Sequence, residues 1–204
     1  MLYLISGAGA SGKKTIARAL AERITNLEAH HDNERLSRTG GERLSNLELW
    51  IEDALRLEGE GIDLVLASQS PLGEVLASPR AVELEGIAAC LLDCHDYVRL
   101  ERWVKRGIHP DWPVGMDHFS WAVFHRMHAQ DPQWEQRVLC SHEFEESVWS
   151  RWTRWQKDDP RWHVLVHDSS EEDVGTTTRI ISDWVRAVRQ NGPALKKRSE
   201  WWKV

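Results

Sequence analysis

The segment that most constrains the fold is the glycine-rich stretch of residues 7–15, GAGASGKKT, which follows the apolar run of residues 2–6. Its spacing is G-x-x-x-x-G-K, in which glycines let backbone N–H groups turn towards a phosphate and the lysine reaches the terminal phosphates. The apolar run predicts a buried strand, and apolar residues at every fourth position predict a helix over 12–24. The sequence therefore predicts a strand, a phosphate-binding loop (P-loop) and a helix.

The residues expected to surround a bound nucleotide are Gly7, Gly9, Ala10, Ser11, Gly12, Lys13, Lys14 and Thr15. Lys14 departs from the motif, because it stands where a Ser or Thr hydroxyl normally binds magnesium. A register shifted by one residue would replace both required glycines with Ala8 and Lys13, so we reject it. Three hypotheses follow: magnesium held through waters and a carboxylate, Thr15 reaching the metal by a local shift, or weakened catalysis. Because magnesium usually keeps several waters, we favour the first.

The rest of the chain alternates between strand and helix patterns. Further strands are predicted at residues 27–31, 62–67, 87–92 and 162–167. Helices are predicted at residues 39–59, 71–77, 78–86, 96–106, 118–130, 142–157 and 171–190, with a loop over HPDWPVG. This alternation predicts an α/β three-layer sandwich, in which a five-stranded, mostly parallel sheet carries helices on both faces.

Length and charge limit the domain organisation and the partners. A chain of 204 residues is most simply one domain, over 1–192, with a helical lid or insert at 108–160 and a tail at 193–204. A net charge of −6 offers no overall attraction to nucleic acid or to an anionic membrane, which favours a small-molecule partner. The sequence shows neither a signal peptide nor an apolar run of roughly 20 residues, so we expect a cytoplasmic protein. Whether identical chains form a homo-oligomer stays open.

Polar residues follow several of the predicted strands, and ligands of parallel sheets bind beyond the carboxyl ends of strands. Asp32 follows the second strand, where a carboxylate facing the P-loop could accept a proton from an attacking hydroxyl; a turn or helix cap is the alternative. Ser68, Gln69 and Ser70 follow the third strand, where they could bind substrate or a metal-bound water, or could form a polar turn.

Five segments together resemble the P-loop kinases of small molecules and nucleotides. They are GAGASGKKT, HHDNERL, SQSP, RLERWVKRG and VHDSSEEDV. The turn after the second strand and the Ser-Pro after the third are particularly similar to adenylylsulfate kinase, and gluconate and shikimate kinases are more distant analogues. The resemblance covers most of residues 1–190 and implies the P-loop NTPase fold, but residues 108–160 match none of these families.

The resemblance also implies roles for individual residues. ATP with Mg²⁺ would be the cofactor, with Lys13 and Asp32 as catalytic residues and Arg35 binding an anionic part of the substrate. Arg102 and Arg106 resemble lid arginines that stabilise a transferring phosphoryl group, with a solvated helix face, shared with Arg99, as the alternative. Residues 168–170 would lie near the adenine base.

Three functional hypotheses follow from these residues. The first is an ATP-dependent phosphotransferase that acts on a hydroxyl of a small metabolite, nucleoside or natural product. The second is a nucleotide-binding switch or slow NTPase, attenuated because Lys14 replaces the magnesium-binding hydroxyl. The third is a protein-interaction module built from the Trp-rich insert and the tail KKRSEWWKV.

Overall fold

The protein is built on one central sheet. The computed structural model describes residues 1–35, 43–107, 114–140 and 146–203, which form a sheet of six strands. The strands are β1 (Leu2–Ser6), β2 (Leu27–His31), β3 (Asp63–Ser68), β4 (Gly86–Asp93), β5 (Val164–Asp168) and β6 (Leu195–Lys196). The order β2-β3-β1-β4-β5 is parallel throughout, and β6 pairs antiparallel with the start of β4. The predicted parallel α/β sheet is confirmed, with a short sixth strand added.

Helices connect the parallel strands. They are α1 (Lys13–Ala21), α2 (Arg43–Gly59), α3 (Leu72–Ala77), α4 (Asp96–Arg106), α5 (Met116–Gln130), α6 (Arg137–Cys140) and α7 (Val174–Arg189). Short 3₁₀ helices cover Pro79–Glu83, Trp149–Arg151 and Lys197–Ser199. In the described parts of the chain, no helix combines the length and the apolar character that crossing a membrane would require.

Each face of the sheet has its own hydrophobic core. On one face, Ile16 and Leu20 of α1 pack with Ile181 and Val185 of α7 and with the buried strands. The other core is larger, because α2 and α3 share it with many tryptophans: Trp50, Trp152, Trp155, Trp162 and Trp201. Since the helices cover both faces, the central strands β1, β3 and β4 are almost fully buried, and apolar residues run along them without alternation.

Helix boundaries follow capping residues more closely than the apolar pattern does. The helix α7 begins at Val174, later than predicted, because the Asp173 side chain accepts a hydrogen bond of 2.7 Å from the Thr176 amide. The helix α5 begins at Met116 after Gly115, two residues before the predicted start. The start of one predicted helix, residues 39–42, lies outside the described residues. Most of the predicted loop also lies outside them, within residues 108–113.

The predicted helix over 142–157 is wrong in its described part. Residues 146–157 contain the 3₁₀ helix Trp149–Arg151 and turns. Trp152 and Trp155 are nevertheless fully buried, and Trp149 packs against the same hydrophobic core. Packing of these side chains, rather than a continuous helix, therefore accounts for their spacing.

Candidate functional site

The carboxyl ends of the central strands bring the predicted site residues to one rim of the sheet. Ser6, which precedes the P-loop, pairs with Ser68 at the end of β3, and the end of β2 lies beside β3 through His31 and Ala67. The P-loop, Asp32 and the turn after β3 are therefore neighbours. Ligands of open parallel sheets bind at such a rim.

Several residues of the P-loop have positive φ angles, a backbone conformation that residues with a Cβ rarely adopt. Gly7 and Gly12 have φ values of 146° and 102°, and Ala10 has a φ of 64°. A Cβ on Gly7 would lie 2.4 Å from the Leu92 carbonyl oxygen and 3.1 Å from Ser11 Oγ. Ser11 Oγ is buried and has no hydrogen-bond partner in the part of the chain that the structure describes. An unpartnered buried hydroxyl inside a glycine-rich turn is suited to a ligand oxygen, and a phosphate supplies one.

Lys13 lies inside the loop rather than in solvent. It is 5% exposed, and its ammonium donates a hydrogen bond of 2.9 Å to the Ala8 carbonyl oxygen. Burial lowers the pKa of Lys13 to about 8, and the Asp32 carboxylate acts in the opposite direction. Lys13 and Asp32 are thus electrostatically coupled across the rim.

The helix α4 lies over the P-loop and brings three arginines to it. Arg102 donates hydrogen bonds of 3.2 Å and 3.1 Å to the carbonyl oxygens of Ala10 and Ser11. Arg99 is fully buried, where it donates to the Gly9 and His118 carbonyl oxygens and to Asp96. Arg99 therefore ties the P-loop to α5, while Arg102 braces the loop itself.

A cavity of about 210 Å³ opens beside the P-loop. Arg106 reaches this cavity together with Arg102, and Thr15 lines it from the first turns of α1. The remaining wall comes from the P-loop, α1, the segment between β5 and α7, and the start of α7: Ser11, Gly12, Ile16, Ser169, Glu172, Asp173, Val174 and Thr177. The Glu172 carboxylate accepts hydrogen bonds of 2.9 Å from His167 and Thr177, which fix its orientation.

Asp32 is held rigidly at the end of β2. It is 6% exposed, and its carboxylate accepts hydrogen bonds from the Asn33 amide at 2.8 Å, Ser68 Oγ at 3.1 Å and the Gln69 amide at 2.6 Å. The polar residues after β3 therefore position the carboxylate. Ser70 is buried beside them, and its amide donates to Ser68 Oγ at 2.9 Å.

A second, much smaller cavity of about 10 Å³ lies against Asp32. Its walls are Asp32, Arg43, Asn46, Leu47, Trp50, Ser68 and Ser70. Among the described residues, Trp50 Nε1 and Ser70 Oγ are buried without a hydrogen-bond partner. The walls of this cavity thus include residues that carry a carboxylate, an indole N–H and a hydroxyl, which are groups that can bind hydroxyl compounds.

Arg35, which follows Asp32 in the chain, and Arg43, which lines the second cavity, are both paired with carboxylates. Arg35 pairs with Asp53, and its guanidinium lies 4.5 Å from the centre of the Trp50 ring. Arg43 donates to the fully buried Glu74 and lies 4.9 Å from the centre of the Trp121 ring. The role predicted for Arg35 with an anionic substrate stays a prediction.

Sequence reasoning missed several residues of the site. Arg43, Asn46 and Trp50 lie at helical spacing on α2, so the polar residues within its apolar stripe were an available signal. Arg126 of α5 binds Asp93, the last residue of β4, and Asp96, the first residue of α4, and the hydrogen bond to Asp96 Oδ1 measures 2.9 Å. No local pattern indicated this contact, because it joins segments about thirty residues apart.

Comparison with known proteins supports the fold. No protein-family model matches the sequence, and no curated protein matches it. The chain is similar to the unliganded structure of a sugar kinase from Janibacter sp., with a TM-score of 0.58 and 15% identity over 91% of this chain and 94% of that one. It is also similar to the crystal structure of APE1195, with a TM-score of 0.54 and 15% identity over 92% of this chain and 96% of that one. These likenesses show a shared α/β fold.

Proposed function

We propose that the chain is an ATP-dependent phosphotransferase that transfers phosphate to a hydroxyl group of a small molecule. The observation that carries this proposal is the pair formed by buried Lys13 in the P-loop and buried Asp32 across the same rim. A cation that reaches the phosphates and a carboxylate that accepts a hydroxyl proton are the two groups that phosphoryl transfer uses at its opposite ends.

The nucleotide side of the site fits a triphosphate. The loop leaves no room for a Cβ on Gly7, Ser11 Oγ lacks a partner, and Lys13 is buried within the cradle. Arg106 and Arg102 line the adjoining cavity, where they can neutralise charge on a transferring phosphoryl group. In this proposal the cavity of about 210 Å³ takes the remainder of the nucleotide.

The acceptor side is suited to a neutral hydroxyl compound. The small cavity holds Asp32 with two unpartnered polar atoms, and its arginine Arg43 is already paired with Glu74. At about 10 Å³ it has room for roughly one water, so it has to widen before an acceptor enters. One structure that shares the fold is a sugar kinase, which makes sugars the first acceptors to test.

The test is the substitution Asp32→Asn, measured with ATP, magnesium and a panel of sugars and other neutral hydroxyl compounds. Mass spectrometry would detect the phosphorylated product, and calorimetry would measure ATP binding. We expect turnover to fall by a factor of about 10² to 10⁴, because the amide cannot accept the hydroxyl proton. The affinity for ATP should change by less than about threefold, since the phosphates bind at the P-loop.

The matched control is Asp183→Asn, which changes an exposed acid of α7 in the same way and should leave turnover unchanged. Wild-type turnover in Asp32→Asn would show that Asp32 is not the base. A failure of every acceptor and a failure to bind ATP would together reject the phosphotransferase itself.

A second candidate is a nucleotide-binding switch with attenuated catalysis. It is favoured by the neutral end of β3, where Ser68 and Gln69 orient Asp32 rather than add a second acid. This candidate predicts that the chain binds ATP and hydrolyses it slowly. The rate of hydrolysis should be the same with and without hydroxyl compounds. An acceptor that accelerates ATP consumption would exclude it.

A further inference from the structure

We propose that the Glu172 carboxylate accepts a hydrogen bond from the amino group of the nucleotide base and is therefore a specificity-determining residue of the nucleotide site. The ligand class that this contact selects is a nucleoside triphosphate whose base carries an exocyclic amino group, such as ATP. The inference rests on the proposed function, because it concerns the cavity of about 210 Å³ beside the P-loop.

Two neighbouring side chains hold the Glu172 carboxylate in one orientation. His167 Nε2–H and the Thr177 hydroxyl both donate to Oε2, each at 2.9 Å. In the described part of the chain no hydrogen bond reaches Oε1, although a carboxylate has about four acceptor positions. The carboxylate is therefore positioned by its neighbours and keeps a free acceptor atom, on a residue that lines the cavity.

The backbone that carries Glu172 is anchored as well. Ser169 donates to the Asp93 carbonyl oxygen from its amide at 2.9 Å and from Oγ at 3.0 Å. The Glu172 amide donates in turn to the Ser169 carbonyl oxygen at 3.4 Å. An acceptor that is fixed in this way binds a ligand group without the entropic cost of ordering a mobile loop.

The position and the charge of Glu172 suit the base end of a nucleotide. The sheet order β1-β4-β5 places the strand that precedes Glu172 two strands, or about 10 Å, from the strand that precedes the P-loop. A carboxylate repels phosphates, which the proposed function places at the P-loop and its arginines. The base is the part of a nucleotide farthest from its terminal phosphates, so it is the part that reaches Glu172.

The lining around Glu172 suits a flat aromatic base. Ile16 of α1 and Val174 of α7 line the same cavity, and Val174 is 52% exposed. Apolar side chains cover the faces of a base, whereas its amino group needs an acceptor at the edge. Asp173 is less suited to this role, because it is exposed and its Oδ1 already accepts from the Thr176 amide as the cap of α7. Glu172 therefore supplies the acceptor.

The experiment is calorimetric titration of the whole chain, with magnesium, using ATP and purine riboside triphosphate, which lacks only the amino group of ATP. For the wild type we expect loss of the amino group to weaken binding by about tenfold or more. For Glu172→Ala we expect ATP to bind at least about tenfold more weakly than it binds the wild type. The two nucleotides should then bind this variant within about threefold of each other, because the acceptor is gone.

A second variant, Glu172→Gln, preserves the packing of the wall. Its amide oxygen can take the place of Oε2 and accept from His167 and Thr177, which puts an NH₂ group where Oε1 lies. An NH₂ group cannot accept from the base, so we expect the same result as for Glu172→Ala. The matched control is Glu171→Ala, at the exposed neighbouring acid that is not part of the cavity wall, which should keep the wild-type preference.

Equal affinities of the wild type for ATP and purine riboside triphosphate would overturn the role of Glu172, and so would a preference that persists in both Glu172 variants. The same titrations with 2′-deoxy-ATP test the ribose. A wild-type preference for ATP over 2′-deoxy-ATP that both variants lose would assign Glu172 to a ribose hydroxyl and overturn its contact with the base. Absence of ATP binding by the wild type would overturn the proposed function itself, whereas ATP binding without a preference for the amino group would overturn only the role of Glu172.

Discussion

At the scale of single residues, Gly7 shows how closely the P-loop is fitted to the strand beside it. Its φ of 146° lies where residues with a Cβ are strained, and the Leu92 carbonyl oxygen occupies the space that a Cβ would take. The Leu92 oxygen belongs to the backbone of β4 and cannot move independently. The loop therefore depends on this glycine for its shape.

We predict that Gly7→Ala distorts the P-loop and weakens ATP binding by at least about tenfold, because the new Cβ displaces backbone at 2.4 Å. Isothermal calorimetry measures the affinity, and thermal unfolding measures any accompanying loss of stability. The control is Gly59→Ala at the end of α2, where a Cβ would meet no atom within 4 Å. Equal ATP affinities in the two variants would contradict the role of Gly7.

At the scale of elements, α5 joins the insert to the rim through buried histidines. His125 Nε2–H donates a hydrogen bond of 3.0 Å to the Gln69 carbonyl oxygen, next to the turn that orients Asp32. His128 lies among the rings of Phe124, Trp152 and Trp162. Neither of its ring nitrogens has a hydrogen-bond partner among the described residues, although the Trp134 backbone lies close enough to affect the pKa of His128.

The burial of His128 predicts a loss of stability in acid. Burial lowers the pKa of His128 to about 4, against an ordinary value of 6.5. Between these two values the unfolded chain binds a proton that the folded chain does not, so the free energy of unfolding decreases as the pH falls. His128 alone accounts for about 3 kcal/mol of this decrease at most.

The measurement is chemical denaturation at pH 7, 6, 5 and 4 for the wild type and for His128→Leu. We expect the variant to lose clearly less stability than the wild type over this range, while part of the loss remains because burial also keeps the pKa of His125 well below its ordinary value. His163→Leu, at an exposed histidine, should retain the wild-type slope. Parallel slopes for the wild type and His128→Leu would contradict the assignment to His128.

At the scale of the whole molecule, the tail closes the tryptophan-rich core. The strand β6 extends the edge of β4, and Trp201 is 3% exposed with its ring centre 6.3 Å from that of Trp155. Arg161 adds a contact from its guanidinium, 4.4 Å from the centre of the Trp155 ring. The described tail therefore packs Trp201 on its own chain, and the interaction-module hypothesis stays a prediction.

We predict that Trp201→Ala lowers the free energy of unfolding by about 3 kcal/mol, because it leaves a cavity in the core. Denaturant titration gives the change, and Trp202→Ala, at the half-buried neighbour, should cost clearly less. Sedimentation of both variants reports the assembly state. A change in assembly with little change in stability would instead assign Trp201 to a partner surface.

Much of the fold was predictable because its signals are local. The strands β1 and β2 and the helix α4 have their predicted bounds, since short-range signals mark them: an apolar run marks β1, Asp32 closes β2 and Gly107 closes α4. The segment around Trp149 was not predictable in this way, because long-range packing of Trp152 and Trp155 decides its conformation. The short strand β6 likewise depends on pairing with a distant strand.

The candidate site divides in the same manner. The sequence determined the P-loop, because its glycines, its lysine and the atypical Lys14 act through backbone geometry within nine consecutive residues. Only the tertiary structure decided that Ser68 and Gln69 orient Asp32, that Arg102 braces the loop, and that Trp50 and Arg43 enclose a second cavity. These contacts join residues that are far apart in the chain, so packing between helices and strands determines them. Short-range periodicity predicts each helix or strand by itself but not the contacts between them.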